Sequence, residues 1–149
     1  MLEYARTDIE GLAPHLASLI RKALQAKYPS VPGTELLPNL GAYCDAEDRG
    51  ELRLFSVKAN SSLVGCAVLL LTMKLHPANC LIGILDTLYV LPEYRGKGVA
   101  KNLLLLVENS LRSEGVRALA AASNDPRIVR WLRMTGGYSY AETVMEKGL

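Results

Sequence analysis

The stretch Leu88-Tyr89-Val90-Leu91-Pro92-Glu93-Tyr94-Arg95-Gly96-Lys97-Gly98-Val99-Ala100 decides how this chain folds. It begins as the end of an apolar strand and finishes as the first turn of an amphipathic helix. Between the two, Gly96 and Gly98 let the backbone turn without side-chain clash, so successive N–H groups converge on one spot. The helix that follows adds the positive end of its dipole. Such a cradle suits a diphosphate, with Lys97 and Lys101 supplying charge at the rim and Ala100 keeping the first turn close to its neighbours. The same glycines also read as nothing more than a tight strand-to-helix turn. A Walker loop would need GxxxxGK followed by Ser or Thr, and a dinucleotide fingerprint would need a third glycine where Lys101 stands. Neither pattern is present.

Upstream, Cys80 to Val90 is rich in Leu, Ile and Val and reads as a strand, broken only by Gly83, Asp86 and Thr87. An acid inside such a strand calls for a reason. Downstream, Ala100, Leu103, Leu104, Val107 and Leu111 share one helical face, with Lys101, Asn102, Glu108, Asn109 and Arg112 on the other, and Gly115 supplies the stop. Val116 to Ala122 reads as a strand of small residues. Asn124-Asp125-Pro126 starts a helix to about Thr135, Gly136-Gly137 ends it, and Tyr138 to Met145 predicts a last strand. Toward the N-terminus, residues 2 to 6 form a short strand, and a Thr7-to-Glu10 capping box opens a helix to about Lys27. The turn-rich segment from Pro29 to Gly50 reads as a loop or helix-loop insertion. Leu52 to Ala59 and Leu63 to Leu75 then make an antiparallel hairpin around Asn60-Ser61-Ser62. The order predicts a mixed α/β (α+β) fold in one domain, residues 1–149.

The chain has 149 residues, half of them apolar, enough for one sizeable core. Seventeen basic residues against fifteen acidic ones are too balanced for a nucleic-acid binder that relies on neutralising phosphates. The N-terminus lacks the pattern of a signal peptide, and the longest apolar run, Leu63 to Thr72, is too short to span a bilayer. Neither a membrane nor a nucleic-acid partner is expected. Cys44, Cys66 and Cys80 are odd in number and widely spaced, which indicates neither a disulfide framework nor a zinc site and predicts a cytoplasmic, reducing environment without a metal.

Arg95-Gly96-Lys97-Gly98-Val99-Ala100 resembles the acetyl-CoA loop of the GCN5-related N-acetyltransferase family: Gln or Arg, two residues, Gly, one residue, then Gly or Ala. The lead-in Leu88 to Tyr94 is similar to that family's fourth strand, and Asn124 followed by Gly136-Gly137-Tyr138 is similar to its later segment running from Asn to a Gly-aromatic pair. The likeness covers roughly residues 80 to 140, and the N-terminal half only in element order. It implies an acyl-CoA N-acyltransferase-like fold: a central, mostly antiparallel sheet flanked by helices, in which strands 4 and 5 splay apart and admit the pantetheine arm. It further implies acetyl-CoA as cosubstrate, the pyrophosphate on Arg95 to Ala100, the arm's amides on the backbone of Leu88 and Val90, and Asn124 touching the pantetheine. Arg127 or Arg130 would reach the 3′-phosphate.

The acceptor implied is an amine on a small molecule, peptide or protein, which must lose a proton during attack on the thioester. Asp86 matches the acidic strand position that serves proton removal or amine binding in relatives such as the spermidine/spermine acetyltransferases. A hydrogen-bonded strand-edge acid is the other reading of it. The family's usual Tyr general acid falls at Trp131, or at Arg133 if the helix is aligned from Gly137-Tyr138. Neither can serve. Tyr138, Tyr140 or Cys44 are the substitutes, unless coenzyme A leaves as thiolate; Trp131 is then expected to pack or to shape the acceptor channel. Asp45, Glu47 and Asp48 form an acidic cluster that would attract a cationic amine or merely be solvated, and His15 and His76 read as structural. The predicted function is acetyl transfer from acetyl-CoA to a primary amine by direct attack. The alternatives are a catalytically weakened acyl-CoA sensor or regulatory protein and an interaction module. A homodimer is left open.

Overall fold

The structure, a computed structural model, describes residues 1–27, 39–123 and 125–141. Strand β1 (Leu2–Thr7) leads into helix α1 (Ile9–Lys27), and helix α2 (Leu40–Asp48) precedes the hairpin β2 (Leu52–Ala59) and β3 (Ser62–Lys74). Then come β4 (Cys80–Val90), a 3-10 turn at Pro92–Tyr94, α3 (Val99–Ser113), β5 (Ala118–Ala121) and α4 (Pro126–Gly136). The five strands form one sheet in chain order, antiparallel from β1 to β4 and parallel between β4 and β5. A parallel return needs a crossover, and α3 is that crossover. The mixed, mostly antiparallel sheet expected from the sequence is therefore present.

Alternating apolar residues fill both faces. Leu12, Leu19 and Ile20 of α1 and Ala46 of α2 pack with Leu52, Leu54, Cys66 and Val68 on one side. Val99, Leu103, Leu104, Val107 and Leu111 of α3 and Leu132 of α4 pack with Phe55, Val57, Ala67, Leu69 and Leu85 on the other. The α3 set is the stripe that its helical period places on one face.

Several ends differ from expectation. Asp8, not Thr7, caps α1, its Oδ1 accepting the Gly11 N–H at 2.7 Å, while Glu47 Oε1 accepts the Ile9 N–H at 3.0 Å and ties α2 to the start of α1. Part of the Pro29-to-Gly50 insertion is helix α2, capped by Asn39 through the Ala42 N–H. No strand occupies 138–141, and the rest of the predicted last strand lies outside the described residues. The reason is that Tyr138 closes α4. Its N–H reaches Leu132 C=O at 3.4 Å, and a Cβ on Gly136 would lie 2.5 Å from its ring.

At the C-terminal end of α3, Glu114 accepts from Arg53 Nε at 2.8 Å and from Arg6 Nη1 at 2.8 Å, linking α3 to β2 and β1. The Arg53 hydrogen bonds first, then the charges of Arg53 and Arg6, hold its carboxyl below the usual 4.5 against the opposing effect of burial. A carboxylate with a depressed folded-state pKa stabilises above its unfolded value and loses that contribution as pH falls through the folded one. Glu114→Gln should therefore lower the melting temperature at neutral pH by about 3 °C, corresponding to about 1 kcal/mol. Thermal melts between pH 7 and pH 3 should show the gap to wild type closing below pH 4.5.

Candidate active site

The glycine stretch forms a built loop. The chain leaves β4 through the Pro92–Tyr94 turn, and both Gly96 and Gly98 have left-handed backbones, with φ of 73° and 77°. A Cβ at either would meet nothing within 4 Å, so the loop leaves an open approach where side chains would otherwise stand. Gly98 is the N-cap of α3 and offers no side-chain cap; the first helical bond runs from the Asn102 N–H to Gly98 C=O. The N–H groups of Val99, Ala100 and Lys101 precede that bond, as donors for an anion. Arg95 fastens the loop to the strand, its Nε donating to Val90 C=O at 2.8 Å and its guanidinium lying 5.3 Å from the centre of the Tyr89 ring. Lys97 lies over Tyr94.

The acid in β4 has its reason in the ladder. Val68 pairs with Thr87 and Leu69 with Leu85, so Asp86 is the extra residue of a β-bulge. The bulge changes the parity of the strand. Leu81 and Leu85 face α3 before it, and Leu88 and Val90 face α3 after it. Thr87, paired with Val68, faces the α1/α2 side, as does Tyr89. Asp86 is exposed on that same side, accepting from Thr87 Oγ1 at 2.9 Å, and its charge acts on the phenol of Tyr43 in α2. Burial first, then Asp86, pushes Tyr43 up to about 12. Tyr43 lay hidden in the weakly patterned insertion, and no spacing in the sequence pointed to it.

Just where the bulge stands, β4 and β5 part. Their ladder runs only from Ile82–Ala118 to Leu85–Ala121, and β4 continues alone to Val90. The Leu91 N–H donates to Val64 C=O on β3 at 2.9 Å. Neighbouring residues of a strand direct their backbone groups to opposite edges, so Val90 and Leu88 direct theirs into the gap beside β5. The Val90 carbonyl is already taken by Arg95. Asp86 is thus on one side of the sheet at the opening of a gap whose far end carries the glycine loop.

A cavity of about 270 Å³ is lined by Val90, Arg95, Gly96, Gly98, Val99, Ala100, Lys101, Trp131 and Thr135. Trp131 therefore walls the glycine loop and does not shape a channel on the Asp86 side, because its face of α4 packs toward the start of α3. Tyr138 donates to Glu108 Oε1 at 3.3 Å, and burial with that carboxylate raises its pKa, so it serves α4 and α3 rather than the gap. Tyr140 is exposed and lines a larger cavity of about 940 Å³ beside α4 together with Arg130 and Arg133. Arg127 is engaged by Asp125, the N-cap of α4, at 2.9 Å. Asn124 lies outside the described residues. Asp45 and Asp48 are exposed, and the inward side of α2 carries Tyr43, Ala46 and the Glu47 that holds α1. Among the described residues no group of three His, Cys, Asp or Glu is placed to hold a metal, and no helix is long and apolar enough to cross a membrane.

A family model described as Acetyltransferase (GNAT) family matches residues 17–135. Comparison with the curated proteins gives no match. Among solved structures, an aminoglycoside acetyltransferase from an uncultured soil metagenomic sample, in complex with sisomicin, superposes with a TM-score of 0.79 at 12% identity, covering 99% of this chain and 96% of that one. A "predicted acetyltransferase" from Clostridium acetobutylicum with acetyl-CoA gives 0.76 at 18%, covering 99% and 96%. A ribosomal-protein-alanine N-acetyltransferase from Brucella melitensis gives 0.72 at 20%, covering 99% of each chain. At these identities the likeness speaks for the fold.

The thiols differ in a way that bears on chemistry. Cys66 is buried under α1 and α2 with its thiol pushed up to about 12, whereas Cys44 is exposed and Cys80 half-buried. With an aromatic disulfide reagent at pH 8, Cys44 should react first and Cys80 more slowly, with Cys66 reacting only after denaturation. Rapid labelling of Cys66 in the native protein would contradict this placement.

Proposed function

The chain belongs to the acetyltransferase (GNAT) family, and on that premise we propose that this N-acetyltransferase moves the acetyl group of acetyl-CoA to a primary amine by direct attack, with Asp86 handling the amine. One observation carries the reading: the β4 bulge puts a carboxylate at one side of the β4–β5 gap while the glycine loop stands at its end.

The residues fit acetyl-CoA. The open left-handed glycines and the leading N–H groups of α3 suit its diphosphate, held by Arg95, Gly96, Lys97, Gly98, Val99 and Ala100 with Lys101 at the wall. The Leu88 and Val90 backbone edge suits the amides of its arm, added like a further strand. When bound, acetyl-CoA supplies an activated carbonyl and a thiolate leaving group. The Val90 N–H, directed into the gap, is the donor for charge developing on the carbonyl oxygen.

Asp86 addresses the acceptor's proton. Freeing an alkylamine of pKa about 10.4 at pH 7 costs roughly 4.6 kcal/mol, taking about 1.36 kcal/mol per unit. The carboxylate holds the ammonium and accepts the proton directly or through water, as the nitrogen–carbon bond forms and the carbon–sulfur bond breaks. Tyr43, pushed up to about 12, keeps its proton throughout. Against a thiol of pKa about 8.5 it is a poor acid, so it is assigned no proton donation to the sulfur. The sulfur leaves with its electron pair. A covalent route through Cys66 is disfavoured by its burial.

Acetyl-CoA at a hundred times its Kd should raise the melting temperature by several degrees, since binding to the native state alone is worth about 2.7 kcal/mol. Trp131, the single tryptophan and a wall of the loop cavity, should change its emission on the same titration. Gly98→Val should abolish both responses, and a folded variant with wild-type affinity would sink the loop assignment. Asp86→Asn should keep acetyl-CoA affinity and lower amine turnover at neutral pH by about tenfold or more, with partial recovery at higher pH where free amine is supplied. Matching rates across pH with several amines would make Asp86 structural.

A further inference from the structure

Among the described residues, the strands beside Asp86 present an apolar surface. On the α1/α2 side of the sheet, Ile84 lies one pleat before it on β4, roughly 7 Å along the strand. Ile84 pairs across β3 with Leu70 and across β5 with Ala120. Val68, next on this face of β3, is buried under the helices, but Leu70 is 39% exposed and Ile84 40% exposed, and Ala118 and Ala120 are exposed as well. Ile82, the preceding residue on this face of β4, is buried, so the exposed apolar part of β3 and β4 here is Leu70 with Ile84. A contiguous apolar floor therefore runs from Leu70 through Ile84 to Ala120 and ends where the β4–β5 ladder ends, one residue before Asp86.

Its charge pattern is as informative as its shape. Among the described residues of β3, β4 and β5, Asp86 is the only acid. The nearby α2 cluster does not add to it, since Asp45 and Asp48 are exposed away from the packed side of α2 and Glu47 caps α1. Among the described residues of these strands, a polyamine or an amino sugar bearing several ammonium groups finds one acid and meets isoleucine, leucine and alanine with its remaining charges or hydroxyls. Burying polar groups without hydrogen bonds is unfavourable. One carboxylate beside an apolar shelf matches a single ammonium beside an apolar body.

Resting on the acetyl-transfer reading above, we infer that the acceptor is a monoamine carried on a compact apolar body, an alkylamine or arylalkylamine in chemical class, whose ammonium meets Asp86 and whose body lies on Leu70, Ile84 and Ala120. The test uses the full chain with acetyl-CoA and measures kcat/KM for ethylamine, butylamine, hexylamine, 2-phenylethylamine, spermidine, glucosamine and sisomicin. The value should rise along the alkylamines by up to about fourfold per methylene covered, the factor that burying one CH₂ supplies. Phenylethylamine should exceed spermidine, glucosamine and sisomicin by about tenfold or more, given the two or more methylene equivalents its ring covers. Ile84→Thr, which keeps a β-branched side chain in the strand, should reduce the hexylamine-to-ethylamine ratio severalfold, with its fold checked by acetyl-CoA binding. No dependence on chain length, a preference for the multiply charged or hydroxylated amines, or an unchanged ratio in Ile84→Thr overturns the inference while leaving acetyl transfer intact. Failure of every amine with a protein that still binds acetyl-CoA overturns the acetyl-transfer reading itself.

Discussion

One residue too many in β4 organises this molecule. Because Asp86 is the extra residue between the Val68–Thr87 and Leu69–Leu85 pairs, the strand changes the face it offers to the two helical layers midway along its length. Leu85 and Leu88 both serve the α3 layer although an unbroken pleat would send them to opposite sides. The same irregularity increases local twist, and the short β5 follows β4 only as far as Leu85. The gap and the carboxylate at its entrance are two results of one insertion. A regular strand would supply neither.

The other side of the gap depends on holding the glycine loop still. Gly96 and Gly98 are conformationally permissive, so the loop needs restraints from elsewhere. Val99, Leu103 and Leu104 anchor the first turns of α3 in the core, and the bond from Arg95 to Val90 C=O ties the loop to the very strand that edges the gap. At the opposite end, Glu114 joins α3 to β1 and β2 through Arg6 and Arg53. The N–H groups at the start of α3 are thus aimed by a helix fixed at both ends. Preorganised donors of this kind act without reorganising when charge arrives.

How much of this was legible in the sequence followed from how local its cause was. The loop and α3 were readable from residues 88 to 115, since glycine spacing and an apolar stripe are properties of contiguous residues. So was the oddity of Asp86, but its place in a bulge was not, because a bulge is a relation between two strands and only the register with β3 reveals which residue is the extra one. Tyr43 was invisible for a similar reason: α2 is short, its one strong local signal is the Asn39 cap, and its partner lies far away in sequence on β4. Trp131 read as packing or as shaping an acceptor channel, and the structure packs it against the core beside the glycine loop, since helical spacing gives a face and not the neighbour that face meets. Tyr138 looked like the start of a strand by its composition, yet its ring and N–H complete the end of α4.

The absence of a tyrosine at position 131 acquires a physical sense from proton balance. In the proposed reaction a primary amine arrives carrying a proton that it must lose, and a thiolate departs that is a weaker base than the amine by about two pKa units. The reaction therefore releases a proton overall and has no net need of an acid held in reserve. What it lacks is a place to put the proton early, at the nitrogen, before the carbon–sulfur bond breaks. In the proposed reaction Asp86, a carboxylate exposed enough to exchange with water, answers that need. A buried phenol pushed up to about 12 does not release its own proton at neutral pH and so does not compete. If, as proposed, the acid is dispensable, the inner face of α4 is free to carry the indole of Trp131 against the glycine loop.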